Sequence, residues 1–129
     1  MAKIRHIAIF TDKPGELAQF YVDTFGMTIT QPLMSSEASG SWVFLTDGYL
    51  DMALIAPSRR GGVKNGINHF GFTLDDQEYP EVIGKLKARG IETQSTPPDR
   101  PYVEVYVRDE HGNRVDLSRT GLRVESSKR

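Results

Sequence analysis

The chain has 129 residues, with 16 Lys+Arg against 17 Asp+Glu and a net charge of −1. That length suits one domain, and 38% hydrophobic with 26% charged residues is ordinary globular composition. The balanced charge argues against a nucleic-acid binder, which needs a clustered cationic surface, and the lack of any cysteine excludes thiolate catalysis, Cys-ligated zinc and iron–sulfur clusters. The longest apolar run, Met52–Ala56, is five residues, far below the roughly 20 that span a bilayer. Met1–His6 opens directly into a strand pattern with no signal-peptide apolar region. The expectation is a soluble, cytoplasmic protein with no membrane and no nucleic-acid partner.

In chain order, Ile4–Thr11 alternates as a strand. Asp12-Lys13-Pro14-Gly15-Glu16 reads as a helix start, with Asp12 as N-cap and Pro in the first turn. Leu17, Phe20, Tyr21 and Phe25 recur at helical spacing, and Gly26 is a C-terminal stop. Met27–Leu33 is a strand and Met34–Gly40 a Ser-rich loop. Ser41–Thr46 and Tyr49–Ala56 form a hairpin about Asp47-Gly48, a strong turn signal between apolar runs.

The chain then repeats itself. Ile4-Arg5-His6-Ile7-Ala8-Ile9 matches Ile67-Asn68-His69-Phe70-Gly71-Phe72, both Ile-x-His-apolar-small-apolar. In the second copy Ile67–Leu74 is a strand, a helix carrying Glu81, Val82, Leu86 and Ala88 stops at Arg89-Gly90, and Ile91–Ser95 is a strand. A Pro-rich loop, 96–101, leads to Tyr102–Arg108, a turn over 109–113, and Arg114–Ser118. The reading is one α+β domain over 1–129: two tandem βαβββ modules, about 3–57 and 67–119, a linker at 58–66 and a tail at 120–129. Each helix covers one sheet face, so curved mixed sheets would line a cavity with the other.

Face parity places the chemistry, because residues i and i+2 share a strand face. His6 lies opposite Ile7 and Ile9, and His69 opposite Phe70 and Phe72; each has a small residue two positions on. A lone strand histidine is more simply a hydrogen-bonded structural residue, but the matched pair points further. In the last strand Asp116 shares a face with Arg114 and Ser118, away from Val115 and Leu117. Tyr102, Glu104 and Tyr106 face away from Val103, Val105 and Val107, as cavity lining or as a solvated face. Two imidazoles and one carboxylate with open positions make a catalytic type of metal site. His111 in its turn, and Arg59 and Arg60 in the linker, read as solvated; Trp42 and Phe44 read as core.

The paired βαβββ order, His6, His69 and the closing segment Asp109-Glu110-His111-Gly112-Asn113-Arg114-Val115-Asp116-Leu117 resemble the vicinal oxygen chelate superfamily of glyoxalases, bleomycin-resistance proteins and extradiol dioxygenases. The closing segment is similar to that family's Asp-Pro-x-Gly-Asn-x-x-Glu-Leu hairpin. The resemblance, over residues 3–119, implies a divalent metal held by His6, His69 and Asp116, Fe2+ or Mn2+ ahead of Ni2+ or Zn2+. It implies a small oxygenated substrate chelated through two oxygens, and a homodimer. Asp116 stands where the family usually has Glu, and Ala53 where glyoxalase I has a fourth ligand, with Asp51 two residues back on the same face. Tyr106 matches the extradiol signature, but no His precedes it closely and Glu110 replaces its Pro. A three-ligand, dioxygenase-like enzyme is therefore favoured, with Glu104 and Tyr106 as acid/base candidates. The alternatives are a glyoxalase- or epimerase-like isomerase, and a metal-free binding protein of the bleomycin-resistance kind.

Overall fold

A computed structural model of the chain describes residues 1–96 and 105–120. Contacts divide it into two compact units, one of Ile7–Asn68 and one of Met1–His6 with His69 onward. The elements are β1 (Lys3–Phe10), α1 (Pro14–Phe25), β2 (Thr28–Ser36), β3 (Gly40–Thr46), β4 (Asp51–Ala56), β5 (Gly66–Thr73), α2 (Glu78–Ala88), β6 (Gln94–Ser95), β7 (Val105–Arg108) and β8 (Arg114–Ser118). This is the α+β pattern of mixed strands and two helices that the sequence predicts. No described helix is long and apolar enough to cross a membrane.

In the unit of Ile7–Asn68, α1 starts at Pro14 and ends at Gly26, whose φ of 73° only glycine adopts freely. Asp12 does not cap the helix. Lys13 holds the N-cap position without a side-chain bond, and Lys13 N donates to Thr11 Oγ1 at 3.1 Å. Asp12 instead pairs with Arg60 at 3.1 Å, and Arg60 also donates to Asn65 at 2.6 Å. Arg60 is thus a fastener of its own loop, while Arg59 is exposed. The helix packs Ala18, with Leu17, Tyr21 and Val22, against Val43, Leu45 and Leu54.

β2 runs on through residues expected to form a loop. Met34 pairs with Trp42, Ser35 with Ser41 and Ser36 with Gly40, and the Ser35 and Ser41 hydroxyls meet at 3.0 Å. The following β3–β4 hairpin turns as expected: Gly48 has φ 101°, and Asp47 Oδ1 accepts from the amides of Tyr49 and Leu50.

In the other unit β5 pairs in parallel with β8, β8 antiparallel with β7, and β7 antiparallel with β6. Helix α2 begins from a reciprocal cap. Asp75 Oδ1 accepts from the Gln77 and Glu78 amides, and Glu78 Oε1 accepts from Asp75 N. Tyr79, Val82, Ile83 and Leu86 then pack on Leu74, Val107, Val115 and Leu117. Of the strand expected over 91–95 only Gln94–Ser95 forms. Asp109 organises the last turn, accepting from the His111 and Asn113 amides and the Asn113 side chain, with Gly112 at φ 88°. That wiring fixes where β8 starts, and so which way Asp116 faces.

Candidate metal centre

With Val115 and Leu117 committed to the α2 core, strand parity turns Arg114, Asp116 and Ser118 to the opposite face. Gly71 is the register partner of Asp116 across the parallel β5–β8 pair, and His69 stands two residues earlier on the same face of β5. The His6 ring fills the space over Gly71: a Cβ built there would overlap imidazole atoms Cε1, Nδ1 and Nε2. Gly71 therefore makes room for the other copy's histidine, not for the neighbour of its own strand. Three residues separated by up to 110 positions are brought to one point, with one ligand atom from each within 4.8 Å of the others.

The cluster is buried: His6 is 1%, His69 8% and Asp116 1% exposed. Both imidazoles aim Nε2 at the same carboxylate oxygen, His6 at 3.3 Å and His69 at 3.1 Å from Asp116 Oδ2. The rings stand nearly perpendicular, 86° apart, with centroids separated by 5.9 Å. His6 Nδ1 is buried with no hydrogen-bond partner among the described residues, so among them this ring is held by Nε2 and by its fit against Gly71.

These separations fit a shared cation. Charge-assisted N–H···O bonds usually measure about 2.7–2.9 Å, and both contacts are longer. Two ligands of one ion with bonds of about 2.1 Å stand roughly 3.0–3.4 Å apart at octahedral to tetrahedral angles. Each histidine thus stands from Asp116 as a co-ligand would, and an ion would draw the three atoms, which lie within 4.8 Å of one another, onto one centre. Among the described residues no other His, Cys, Asp or Glu joins the group. Asp51 is buried, but in the unit of Ile7–Asn68.

Burial pushes the Asp116 carboxyl up, yet hydrogen bonds from His6 and His69 and the charges of His69 and Arg114 outweigh it and hold it well below the usual carboxylate range. For His69 burial wins: it lowers the pKa from 6.5 against the pull of Asp116, and Arg114 and His6 add to the lowering. Near pH 7 the site then offers a carboxylate and a neutral His69 imidazole, the forms that bind metals. Stability is expected to fall in acid by two steps. Below about pH 6.5 the unfolded chain takes a proton on His69 that the folded chain resists; below about 3.8 the same holds for Asp116. Urea midpoints in metal-free buffer should drop from pH 7.5 to 5.5 and again toward pH 3; a midpoint constant over that range would contradict these shifts.

Tyr106 is the register partner of Asp116 on β7. Glu104 lies outside the described residues, as does Tyr102. His111 is exposed in its turn, as expected. Sequence reasoning assigned no role to Arg114, whose Nε donates to Asp116 Oδ1 at 2.9 Å while its guanidinium lies over the Tyr106 ring, 4.2 Å from the centroid. The available signal was parity, since Arg114 and Asp116 share a strand face.

A family model for the Glyoxalase/Bleomycin resistance protein/Dioxygenase superfamily matches residues 3–117. No curated protein matches the sequence. Among solved structures, hypothetical protein BH1468 from Bacillus halodurans C-125 superposes with a TM-score of 0.71 at 18% identity, covering 91% of this chain and 93% of that one. A methylmalonyl-CoA epimerase in complex with methylmalonyl-CoA and NH4+ gives 0.68 at 18% identity, with coverage of 91% and 93%. The methylmalonyl-CoA epimerase of Mycobacterium tuberculosis gives 0.69 at 16%, with coverage of 89% and 85%. These identities establish a shared fold. With nearly the whole chain matched by the family model, this protein belongs to the glyoxalase/bleomycin resistance protein/dioxygenase superfamily.

Proposed function

We propose that the protein is a divalent-metal-dependent enzyme that binds a small oxygenated acyl substrate and moves a proton beside its carbonyl, as an epimerase or isomerase does. The convergence of His6, His69 and Asp116 on one buried point carries this reading. The fold-level likeness to methylmalonyl-CoA epimerases supports proton transfer over oxygen insertion. The histidine inventory supports it too: of three in the sequence, two are in the cluster and His111 is exposed in a turn. None remains for the acid/base post of an extradiol-type reaction.

A bound ion would supply Lewis-acid stabilisation of negative charge on a substrate oxygen. His6, His69 and Asp116 would hold it. The charges of Asp116 and Arg114 cancel, so a divalent ion held there leaves the site positive. That suits a substrate that arrives as an anion or becomes an enolate. Tyr106, across from Asp116, and Glu104 are the proposed groups for proton transfer.

The test is ion content after purification without chelator, followed by reaction. Added Mn2+, Co2+ or Ni2+ at a hundredfold excess over Kd should raise Tm by about 10 °C, and His6→Ala should abolish the increment. Methylmalonyl-CoA in D2O is the first probe: deuterium entering at the carbon between the carbonyls supports the reading. An increment unchanged in His6→Ala removes His6 from the site and sinks it. The second reading is an iron-dependent dioxygenase, favoured by the two-His, one-carboxylate donor set shared with non-haem iron oxygenases; oxygen uptake with Fe2+ and a catechol, without proton exchange, would select it. A protein that takes no ion but binds an organic ligand tightly would be a binding protein instead. A homodimer is part of the proposal, checked by light scattering.

A further inference from the structure

We propose that Arg114 is a positioning residue that makes Asp116 a one-oxygen ligand. The inference rests on the metal-binding reading above and concerns how the shorter carboxylate serves in it. A free aspartate could turn either or both oxygens to an ion. Here Oδ1 is taken by Arg114 Nε at 2.9 Å, and Oδ2 alone faces the two imidazoles at 3.1 and 3.3 Å. The guanidinium is fixed in turn. Its face rests on Tyr106, 4.2 Å from the ring centroid, and its side chain is only 19% exposed. Tyr106 stands directly across β7–β8 from Asp116. Ring, guanidinium and carboxylate therefore form a chain of contacts in which each member sets the orientation of the next.

Two physical effects oppose one another at Arg114. As a cation close to an ion it repels it, so removing it would tighten binding. As the clamp on Asp116 it aims the donor, and loss of such a partner typically weakens metal affinity by about 10–100-fold. The geometry points to orientation as the larger effect, because the carboxylate is almost fully buried and Arg114 holds the oxygen that does not face the imidazoles.

Titration of the full-length protein with Co2+, by calorimetry and visible absorption, decides it. Arg114→Ala should bind Co2+ about 10–100-fold more weakly, with a changed absorption band as Oδ1 becomes free to ligate. Arg114→Lys keeps the charge without the planar group and should fall between. Tyr106→Leu, which takes away the ring under the guanidinium and leaves all three ligands and Arg114 in place, should weaken Co2+ binding severalfold and carries the test should Arg114→Ala fail to fold. Affinity within threefold of the unsubstituted chain in the folded variants, tighter binding, or an unchanged band overturns the proposal. If the unsubstituted chain itself takes no Co2+, the metal reading fails first, and that outcome is distinct.

Discussion

Gly71→Ala is expected to remove ion binding altogether and to destabilise the chain by about 1–3 kcal/mol, the usual range for overpacking a tight interior. The added methyl would occupy the place of the His6 imidazole, a buried ring on a neighbouring strand. To fit, the ring must leave its position, and Nε2 then loses Asp116. The substitution touches neither ligand chemistry nor charge, so its effect isolates geometry. Gly84→Ala is the matched control. It lies inside α2, where an added Cβ meets nothing within 4 Å among the described residues, and it should stabilise by about 0.5–1 kcal/mol through helix propensity. Thermal unfolding of both variants, with and without Mn2+, checks the pair. A Gly71→Ala protein that keeps its Mn2+ increment would mean that the His6 ring does not need its seat over Gly71.

Asp116→Ala should be the most destabilising of the site substitutions, at about 3–5 kcal/mol. The carboxylate is 1% exposed and takes contacts from both imidazoles and from Arg114. Removing it strands a largely buried guanidinium and two ring donors. Asp116→Asn should cost less, because its carbonyl can still accept from Arg114, yet it places an amide N–H₂ against the imidazoles and should not bind an ion. Urea unfolding gives the cost and calorimetry the binding. A loss below about 1 kcal/mol for Asp116→Ala would show that the pair to Arg114 is solvated and weak.

The parts of this site that local chemistry determines could be read before any coordinates. Alternation alone put His6, His69 and Asp116 on the faces opposite Ile7, Phe70 and Val115, because a strand has a period of two and the bulky residues had to meet a helix. What alternation cannot give is register between strands distant in sequence. That Gly71 sits across from Asp116 and receives the His6 ring depends on the parallel β5–β8 pairing. The role of Arg114 needed the same register, since the Tyr106 ring lies on the neighbouring strand. Other differences have local causes. Ser35 and Ser41 extend the β2–β3 hairpin by pairing their hydroxyls where serine content suggested a loop. Asp12 pairs with Arg60, and Lys13 holds the N-cap position in its place.

Diffraction from crystals grown with Mn2+, recorded at an energy where manganese scatters anomalously, tests the central claim most directly. The expected result is one peak at ordinary coordination distance, about 2.0–2.3 Å, from His6 Nε2, His69 Nε2 and Asp116 Oδ2 together. A peak elsewhere, or none at saturating Mn2+ with the three side chains still in contact, would contradict it.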